Sequence, residues 1–188
     1  MKGIGMGRVT GIVLIGVLCC VLFGSNVGAE ESVQVLTGQA MEEVLSQVMG
    51  SHNNYAGVVL TTGSAGTIGC GDYMKEIYPQ SKIAAGEALQ CPTMLANGFG
   101  AHRIEGIGDK HIPWIHNVKN SDLVIAVDDN NTMGIIRIFN EPAGKEYLRE
   151  QKVPDDIIEK LPLMGISSVA NMIMAIKFAK YMNLLKRI

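Results

Sequence analysis

The sequence predicts an α/β fold in which a partial parallel sheet forms the middle of three layers, with helices on both faces. Two observations support this: apolar β-branched runs alternate with helical patterns, and 22 of the 188 residues are glycine. Alternating strands and helices favour a parallel sheet covered on both faces, and glycine suits tight turns where backbone approaches a ligand. The apolar content of 47% indicates a globular protein with a real core.

The charge balance argues against one class of partner. Sixteen basic residues stand against 18 acidic ones, for a net charge of −2. A nucleic-acid backbone is bound by strongly basic surfaces, and the sequence shows no such stripe. Nucleic acid is therefore not expected as a partner.

Residues 1–29 differ from the rest of the chain. Lys2 and Arg8 precede an uncharged run from Val9 to Val27, and residues 27–29 offer a site for signal peptidase. We interpret residues 1–29 as a signal peptide or an N-terminal anchor, since about twenty apolar residues can cross a bilayer. The alternatives are a buried apolar segment, or a leader joined by a rearranged or misassigned reading frame. The domain itself then occupies residues 30–188.

The first elements are predicted from capping and periodicity. Thr37 is expected to cap a helix that runs to about Gly50. Short apolar runs predict strands at residues 55–61, 81–88 and 122–127. The helix after the first strand is expected to end before Pro79, and residues 89–120 form a long turn-rich stretch.

Helices dominate the remainder of the sequence. Asp128 or Asp129 is expected to cap a helix to about Phe139. Short helices follow at residues 142–150 and 154–161, and a last helix begins at Ser167 or Ser168 and ends near Leu185.

The strongest candidate site is the turn between the first strand and its helix. Its small residues let consecutive N–H groups converge, and the helix N-terminus adds positive potential. Hydroxyl donors complete a predicted phosphate cradle: Gly63, Ser64, Ala65, Gly66 and Thr67. The alternative is a turn that is glycine-rich for packing alone. It is not a P-loop, because no Lys-Ser or Lys-Thr follows the second glycine.

Two further segments are candidates. The simplest role for Ser167, where GISS opens the last helix, is an N-cap; the alternative is a hydroxyl directed at a ring nitrogen. The segment HRIEGIG, residues 102–108, contains two glycines and predicts a mobile loop that closes over a ligand.

The other polar groups give weaker signals. Cys70 and Cys91 are interpreted as small buried hydrophobes, with a disulfide as the alternative. Residues 128–132 are read as a helix cap rather than a calcium loop. No metal site is predicted, because the candidate ligands lack a known spacing: His102, His111, His116 and Asp109.

Three motifs in order resemble a known family: GSAGTI after the strand, AHRIEGIG, and GISS opening a helix. Together they resemble the C-terminal part of cysteine synthase-like, fold-type II enzymes that depend on pyridoxal phosphate (PLP) and have a tryptophan synthase β-like fold. The resemblance extends from about Val35 to Ile188. FNEPAGKEYL and IPWIHN are similar to a branch described only as PLP-dependent β-subunit-like proteins.

The resemblance implies roles for the candidate residues. The turn at residues 63–67 would hold the PLP phosphate, and Ser167 would hydrogen-bond the pyridine nitrogen, which favours α,β-elimination and β-replacement on amino acids. Gly106, Ile107 and Gly108 would lie on the substrate side. Ala65 replaces a glycine of the family and leaves less room beside the phosphate. The family is cytoplasmic, whereas use of residues 1–29 would export or anchor this chain.

The family's Schiff-base lysine, in a Ser-x-Lys segment, and its Asn-containing substrate loop have no counterpart here. The lysines at positions 75, 82, 110 and 119 lie in unmatched contexts. We therefore assign no catalytic residue and expect weak PLP binding. The family also continues into another strand, so uncovered sheet edges are expected.

Three functions remain open at this stage. The first is a truncated or split PLP-enzyme domain, inactive alone, which binds an amino acid or an anion and is completed by a complementing subunit or a homodimer. The second is an exported or membrane-tethered anion-binding module. The third is an intact enzyme with a relocated lysine.

Overall fold

A computed structural model describes residues 30–49 and 55–182. Its centre is a parallel sheet of three strands in the order β1 (Gly57–Thr61), β2 (Lys82–Ala88) and β3 (Leu123–Val127). The register pairs Thr61 with Gly86, and Ala88 with Val127. All three strands therefore end at one side of the sheet, called the C-terminal edge below. The predicted α/β class is confirmed, and each strand begins within two residues of its predicted start.

Seven helices of the described residues surround the sheet. In chain order they are α1 (Glu30–Met49), α2 (Gly66–Ile77), α3 (Thr93–Ala96), α4 (Asp129–Asn140), α5 (Pro142–Glu150), α6 (Asp155–Ile158) and α7 (Ile166–Tyr181). Single 3-10 turns lie at Val118–Asn120 and Leu161–Leu163.

The two faces of the sheet bury separate apolar clusters because side chains alternate along a strand. Val58 and Leu60 of β1 pack with α1 and α2, as do Ile83 and Ala85 of β2. Val59 packs on the other face with Ala84, Ala88 and residues of α7 such as Met174 and Phe178. The three-layer arrangement with helices on both faces follows directly.

Helix α7 crosses all three strands. Asn171 lies beside Thr61 of β1, with 3.5 Å between its Nδ2 and the threonine Oγ1. Met174 packs on β2 where Gly86 has no side chain; a Cβ there would lie 2.5 Å from the methionine sulfur. Lys177 then donates to the carbonyl of Ala126 in β3 at 2.7 Å. One helix thereby fastens each strand near the C-terminal edge.

Helix starts test the capping predictions. Asp128 caps α4 as predicted, and its carboxylate accepts the N–H of Asn130 at 2.7 Å. The prediction for Thr37 is wrong, since α1 already begins at Glu30. The N-cap interpretation of Ser167 or Ser168 is also wrong, because α7 follows Gly165 and has no side-chain cap. An extended chain before a helix can be capped by glycine, which competes with serine for this position.

The two cysteines lie on opposite faces of the sheet. Cys70 is buried with α1 and α2, whereas Cys91 is buried in the cluster beneath α7. Because the sheet separates them, the alternative of a disulfide between these residues is excluded.

No single helix among residues 30–49 and 55–182 has the length and apolar character to cross a membrane. The pair Asp155–Leu163 and Ile166–Tyr181 passes on length and composition, but with a bend of 118° between its halves. The predicted signal peptide or anchor, and the last helical residues expected up to Leu185, lie outside the described residues.

Asp122 joins three elements at the edge opposite the C-terminal one. Its carboxylate accepts Lys75 of α2 at 2.7 Å, Lys82 of β2 at 2.9 Å and the N–H of Ile83 at 2.9 Å. Burial alone would raise the pKa of Asp122, but these hydrogen bonds and the Lys75 charge outweigh it and hold that pKa at about 2. The folded state therefore favours the ionised form.

We expect Asp122→Asn to cost about 2 kcal/mol of unfolding free energy at pH 7. A pKa below the unfolded value of 3.8 contributes stability above that pH, and the contribution disappears as pH falls towards 2. Urea unfolding followed by circular dichroism at several pH values should thus show the two proteins converging in acid. Asp156→Asn, which breaks the exposed pair with Lys160, is the control and should cost less than about 1 kcal/mol. A pH-independent difference for Asp122→Asn would contradict the assignment.

Candidate phosphate-binding site

The turn from β1 into α2 has an unusual backbone at Ala65. This residue precedes α2 with φ 68° and ψ 0°, in the left-handed region, and its side chain is 2% exposed. The conformation costs an L-residue about 1–2 kcal/mol, which burial of the methyl group in the cluster beneath α2 offsets in part. The structure thus accommodates alanine where the resembled family has glycine.

The N–H groups of residues 63–67 have no hydrogen-bond acceptor within the described part of the chain. The helical bonding begins afterwards, where Ile68 N–H donates to the carbonyl of Ala65 at 3.1 Å. Unpaired N–H groups at a helix start carry partial positive charge and are a common binding site for phosphate. The geometry of the turn therefore fits an anion.

One side of this turn is open. A Cβ placed on Gly66 would meet no heavy atom within 4 Å, and Ser64 is exposed. Gly63 differs, because a Cβ there would lie 2.7 Å from the carbonyl oxygen of Gly106. A ligand can approach from the side of Gly66, while Gly63 is needed for close contact with the neighbouring loop.

The two hydroxyls of the turn differ in their contacts. Thr67 Oγ1 donates to the carbonyl of Thr61 at 2.7 Å, which ties the helix start to the end of β1. Because this bond uses the only proton of the hydroxyl, Thr67 Oγ1 has none left to donate to a phosphate oxygen. The exposed Ser64 hydroxyl makes no hydrogen bond to the described residues and keeps its donor for a ligand.

The loop at Gly106–Gly108 docks on the end of β1. Gly108 N–H donates to the carbonyl of Thr62 at 2.7 Å, and the two glycines have φ values of 81° and 82°. The ring of His102 links the loop to itself through the carbonyls of Gly100 and Ile107. This is the loop predicted to close over a ligand, in a position against the turn.

The start of α7 lies beside the same strand end. Asn171 contacts Thr61, and Ser167 lies one helical turn earlier on the same face of α7. Ser167 is half-buried. The fold therefore brings the GISS segment, the turn and the glycine loop, which are far apart in sequence, to one end of β1.

Glu87 and Asn171 were missed by sequence reasoning. Glu87 is 1% exposed, and its two carboxylate oxygens accept the N–H groups of Met94 and Leu95 at 2.9 and 3.0 Å. It lines a narrow cleft of about 10 Å³ together with Thr62, Gly63 and Gly108. An acidic residue among the small apolar residues at the end of β2 was the available signal. Asn171 gave none, since polar residues are common on helices.

Lys75 and Lys82 lie far from this site. Both bind Asp122 at the edge opposite the C-terminal one. Lys110 lies over the ring of Phe99, 5.6 Å from its centroid. The ion pairs of Lys75 and Lys82 with Asp122 give neither of them a place beside the turn.

The described residues do not form a metal site, and His116 hydrogen-bonds a serine. Among residues 30–49 and 55–182, no group of three or more His, Cys, Asp or Glu side chains is placed to hold a metal ion. His116 Nε2 lies 3.2 Å from Ser121 Oγ, and burial lowers the pKa of His116 against the opposing charge of Asp72. The ring therefore favours the neutral form.

Known proteins share this fold over part of their length. No family model matches the sequence. Cysteine synthase B of Campylobacter jejuni is 31% identical over 119 residues, which are 63% of this chain and 34% of that protein. A hydrogen sulfide-producing enzyme of Fusobacterium nucleatum superposes with a TM-score of 0.61 and 25% identity, over 82% of this chain and 42% of that one.

A third relative has a similar fold. The O-acetylserine dependent cystathionine beta-synthase of Helicobacter pylori has a TM-score of 0.58 and 22% identity, over 79% of this chain and 42% of that one. The chain spans about a third of the length of cysteine synthase B and about two fifths of the solved structures.

The fold defines the class: an α/β protein with the architecture of tryptophan synthase β-like PLP enzymes. Within that class, the chain is related to the cysteine synthase-like enzymes over part of their length. The resemblance predicted from the three motifs is confirmed.

The two glycines of the turn should respond differently to a methyl group. We expect Gly63→Ala to lose about 1–3 kcal/mol of stability, because the backbone oxygen of Gly106 must move. Gly66→Ala should stay within about 0.5 kcal/mol of wild type, since its Cβ meets open space. Urea unfolding of both variants measures the difference, and equal midpoints would show that the loop does not dock on the turn.

Proposed function

We propose that this chain is the phosphate-binding part of a cysteine synthase-like PLP enzyme and holds the cofactor phosphate at residues 63–67. One observation supports this above all: consecutive N–H groups at the start of α2 lack acceptors among the described residues, beside the open space at Gly66. A phosphate monoester supplies the missing acceptors and the negative charge.

The residues of the turn contribute backbone donors, one hydroxyl donor and contacts that hold the turn in shape. The N–H groups of Gly63, Ala65, Gly66 and Thr67 bind phosphate oxygens, and Ser64 adds its N–H and hydroxyl. The buried methyl group of Ala65 and the Thr67 hydroxyl, bonded to Thr61, hold the turn in the binding conformation. The phosphate is thus bound by backbone that is already in place before the ligand arrives.

The proposed ring contacts come from two other segments. Ser167, at the start of α7, donates to the pyridine nitrogen. Gly106, Ile107 and Gly108 form the wall on the substrate side and exclude water there. PLP, when bound, supplies the electron sink for breaking bonds at the α-carbon of an amino acid.

We do not expect this chain to catalyse the reaction alone. Covalent capture of PLP and proton transfer need an amine beside the ring, and Lys75 and Lys82 are bound to Asp122 at the opposite edge. We propose that the chain binds PLP weakly and that a complementing chain supplies the lysine.

Exposed apolar side chains near the C-terminal edge support a partner of this kind. Several large ones lie in the stretch from residue 89 to residue 118 and are half exposed or more: Leu89, Leu95, Phe99 and Trp114. Exposed apolar groups that cluster in one region are typical of surfaces that contact another protein.

Gly66→Asp tests the cofactor site. The new carboxylate would face the phosphate and should weaken PLP binding by about tenfold or more, whereas Gly66→Ala, the matched control, should bind nearly as well as wild type. Calorimetric titration with PLP and, separately, with inorganic phosphate gives the affinities. Equal affinity of wild type for both ligands would favour a general anion-binding module over a cofactor site.

Absorbance tests the absence of a usable lysine. PLP mixed with the chain alone should be removed by dialysis. Borohydride added after the dialysis should then leave no cofactor attached to the protein. A visible band that survives dialysis and disappears on reduction would show covalent capture, and the proposal that another chain supplies the lysine would be wrong.

A further inference from the structure

The stretch between Asp109 and Asn120 is fastened to the protein at both ends. At the first end, Thr93 Oγ1 donates to the carbonyl of Asp109 at 2.6 Å. At the second, Asn120 Nδ2 donates to Asp72 of α2 at 2.9 Å, and the Asn120 carbonyl accepts Lys75 Nζ at 3.0 Å. The ten residues between these ends are called the 110–119 segment below.

The 110–119 segment has a single buried side chain. All ten residues belong to the described part of the chain, and eight of them are exposed. Pro113 is half-buried, and His116 is 7% exposed. Loops are commonly held by apolar side chains that face the core, but here the inward-facing group is a ring whose charge changes near neutral pH.

His116 connects the two halves of the segment. Its backbone N–H donates to the carbonyl of Pro113 at 3.0 Å, and its carbonyl accepts the N–H of Val118 at 2.9 Å. Its ring nitrogen Nε2 lies 3.2 Å from Ser121 Oγ. If the ring moved into solvent, the segment would lose this hydrogen bond together with its one buried side chain.

The charges near His116 come from α2, from the residue before β3 and from the segment itself. Asp72 of α2 attracts a proton to the ring, whereas Lys75 of α2 is paired with Asp122 at 2.7 Å. Burial outweighs the attraction of Asp72 and lowers the pKa of His116 below its ordinary value. The other titratable side chains belong to the segment and are exposed: Lys110, His111 and Lys119.

The segment also forms one wall of the narrow cleft beside the phosphate-binding turn. His111, Ile112 and Pro113 line that cleft together with Gly63 and Glu87. These three residues lie between the fastened end at Asp109 and the buried ring of His116. Release of the ring would therefore free the part of the segment that narrows the cleft.

We propose that His116 is a pH-sensitive latch: its neutral ring holds the 110–119 segment in place, and protonation releases the segment and opens the cleft beside Gly63. A released histidine takes up a proton near pH 6.5. The closed form is thus fully favoured above that pH. Its advantage falls by up to about tenfold per pH unit below, until the pH reaches the lowered pKa of the buried ring.

Amide hydrogen exchange of the full chain without PLP, followed by mass spectrometry, tests the latch. His116→Gln can still hydrogen-bond Ser121 but cannot become charged. At about pH 7.5 the segment should exchange equally slowly in wild type and in this variant, and at about pH 5.5 at least about threefold faster in wild type. Comparing the two proteins at one pH removes the direct effect of acidity on exchange.

His111→Gln is the matched control, because it removes an exposed histidine from the same segment. It should exchange as wild type does at both pH values. The amides of β2 should stay equally protected in all three proteins, since the latch opens one segment and not the fold.

Proton NMR of the His116 ring in wild type gives a second test, which holds even if His116→Gln loosens the segment at every pH. The ring should titrate below pH 6.5, and release of the segment should have the same midpoint. The proposal is overturned if wild type and His116→Gln exchange equally at about pH 5.5, if β2 opens together with the segment, or if the two midpoints differ. The latch involves no ligand, so its failure and the failure of phosphate binding are separate results.

Discussion

Parallel pairing of three short strands is the constraint on which the other features depend. Because β1, β2 and β3 run in one direction, the segments that follow them all leave the sheet at the C-terminal edge. Thr62, Glu87 and Asp129 are thereby brought to one side of the molecule from distant parts of the sequence. Open α/β sheets bind ligands at this edge for the same geometric reason. Helix α7 then holds the three strands in register by contacting each of them.

Sequence patterns predicted the features that depend on interactions between residues close together in the chain. The strands, the turn at residues 63–66 and the Asp128 cap depend on neighbours in sequence, and all three appear as expected. Thr37 and Ser167 failed as caps because a helix extends to an earlier start whenever its backbone can continue, and capping preference only ranks the candidates. The fold class needed no more than the alternation of patterns.

The candidate site depended on contacts that no periodicity encodes. The Thr67 hydroxyl belongs to the turn motif, yet its proton is directed at Thr61 rather than outwards. Glu87 faces two N–H groups that reach it only after the chain has folded back from β2. From sequence, Asp129 was visible only as a candidate helix cap. In the fold, its carboxylate accepts the N–H of Arg103, which lies 26 positions earlier. Tertiary distance, not residue type, decided these roles.

Trp114 gives this molecule a property of practical use. It is the single tryptophan in the chain and its side chain is fully exposed, next to Pro113, which lines the cleft beside Gly63 and Glu87. Indole emission shifts in wavelength with the polarity around the ring, so the tryptophan fluorescence of the protein reports on one surface loop. A partner or ligand that covers this loop will shift the wavelength of the tryptophan emission. A change confined to the apolar clusters beneath the helices will leave that wavelength unchanged.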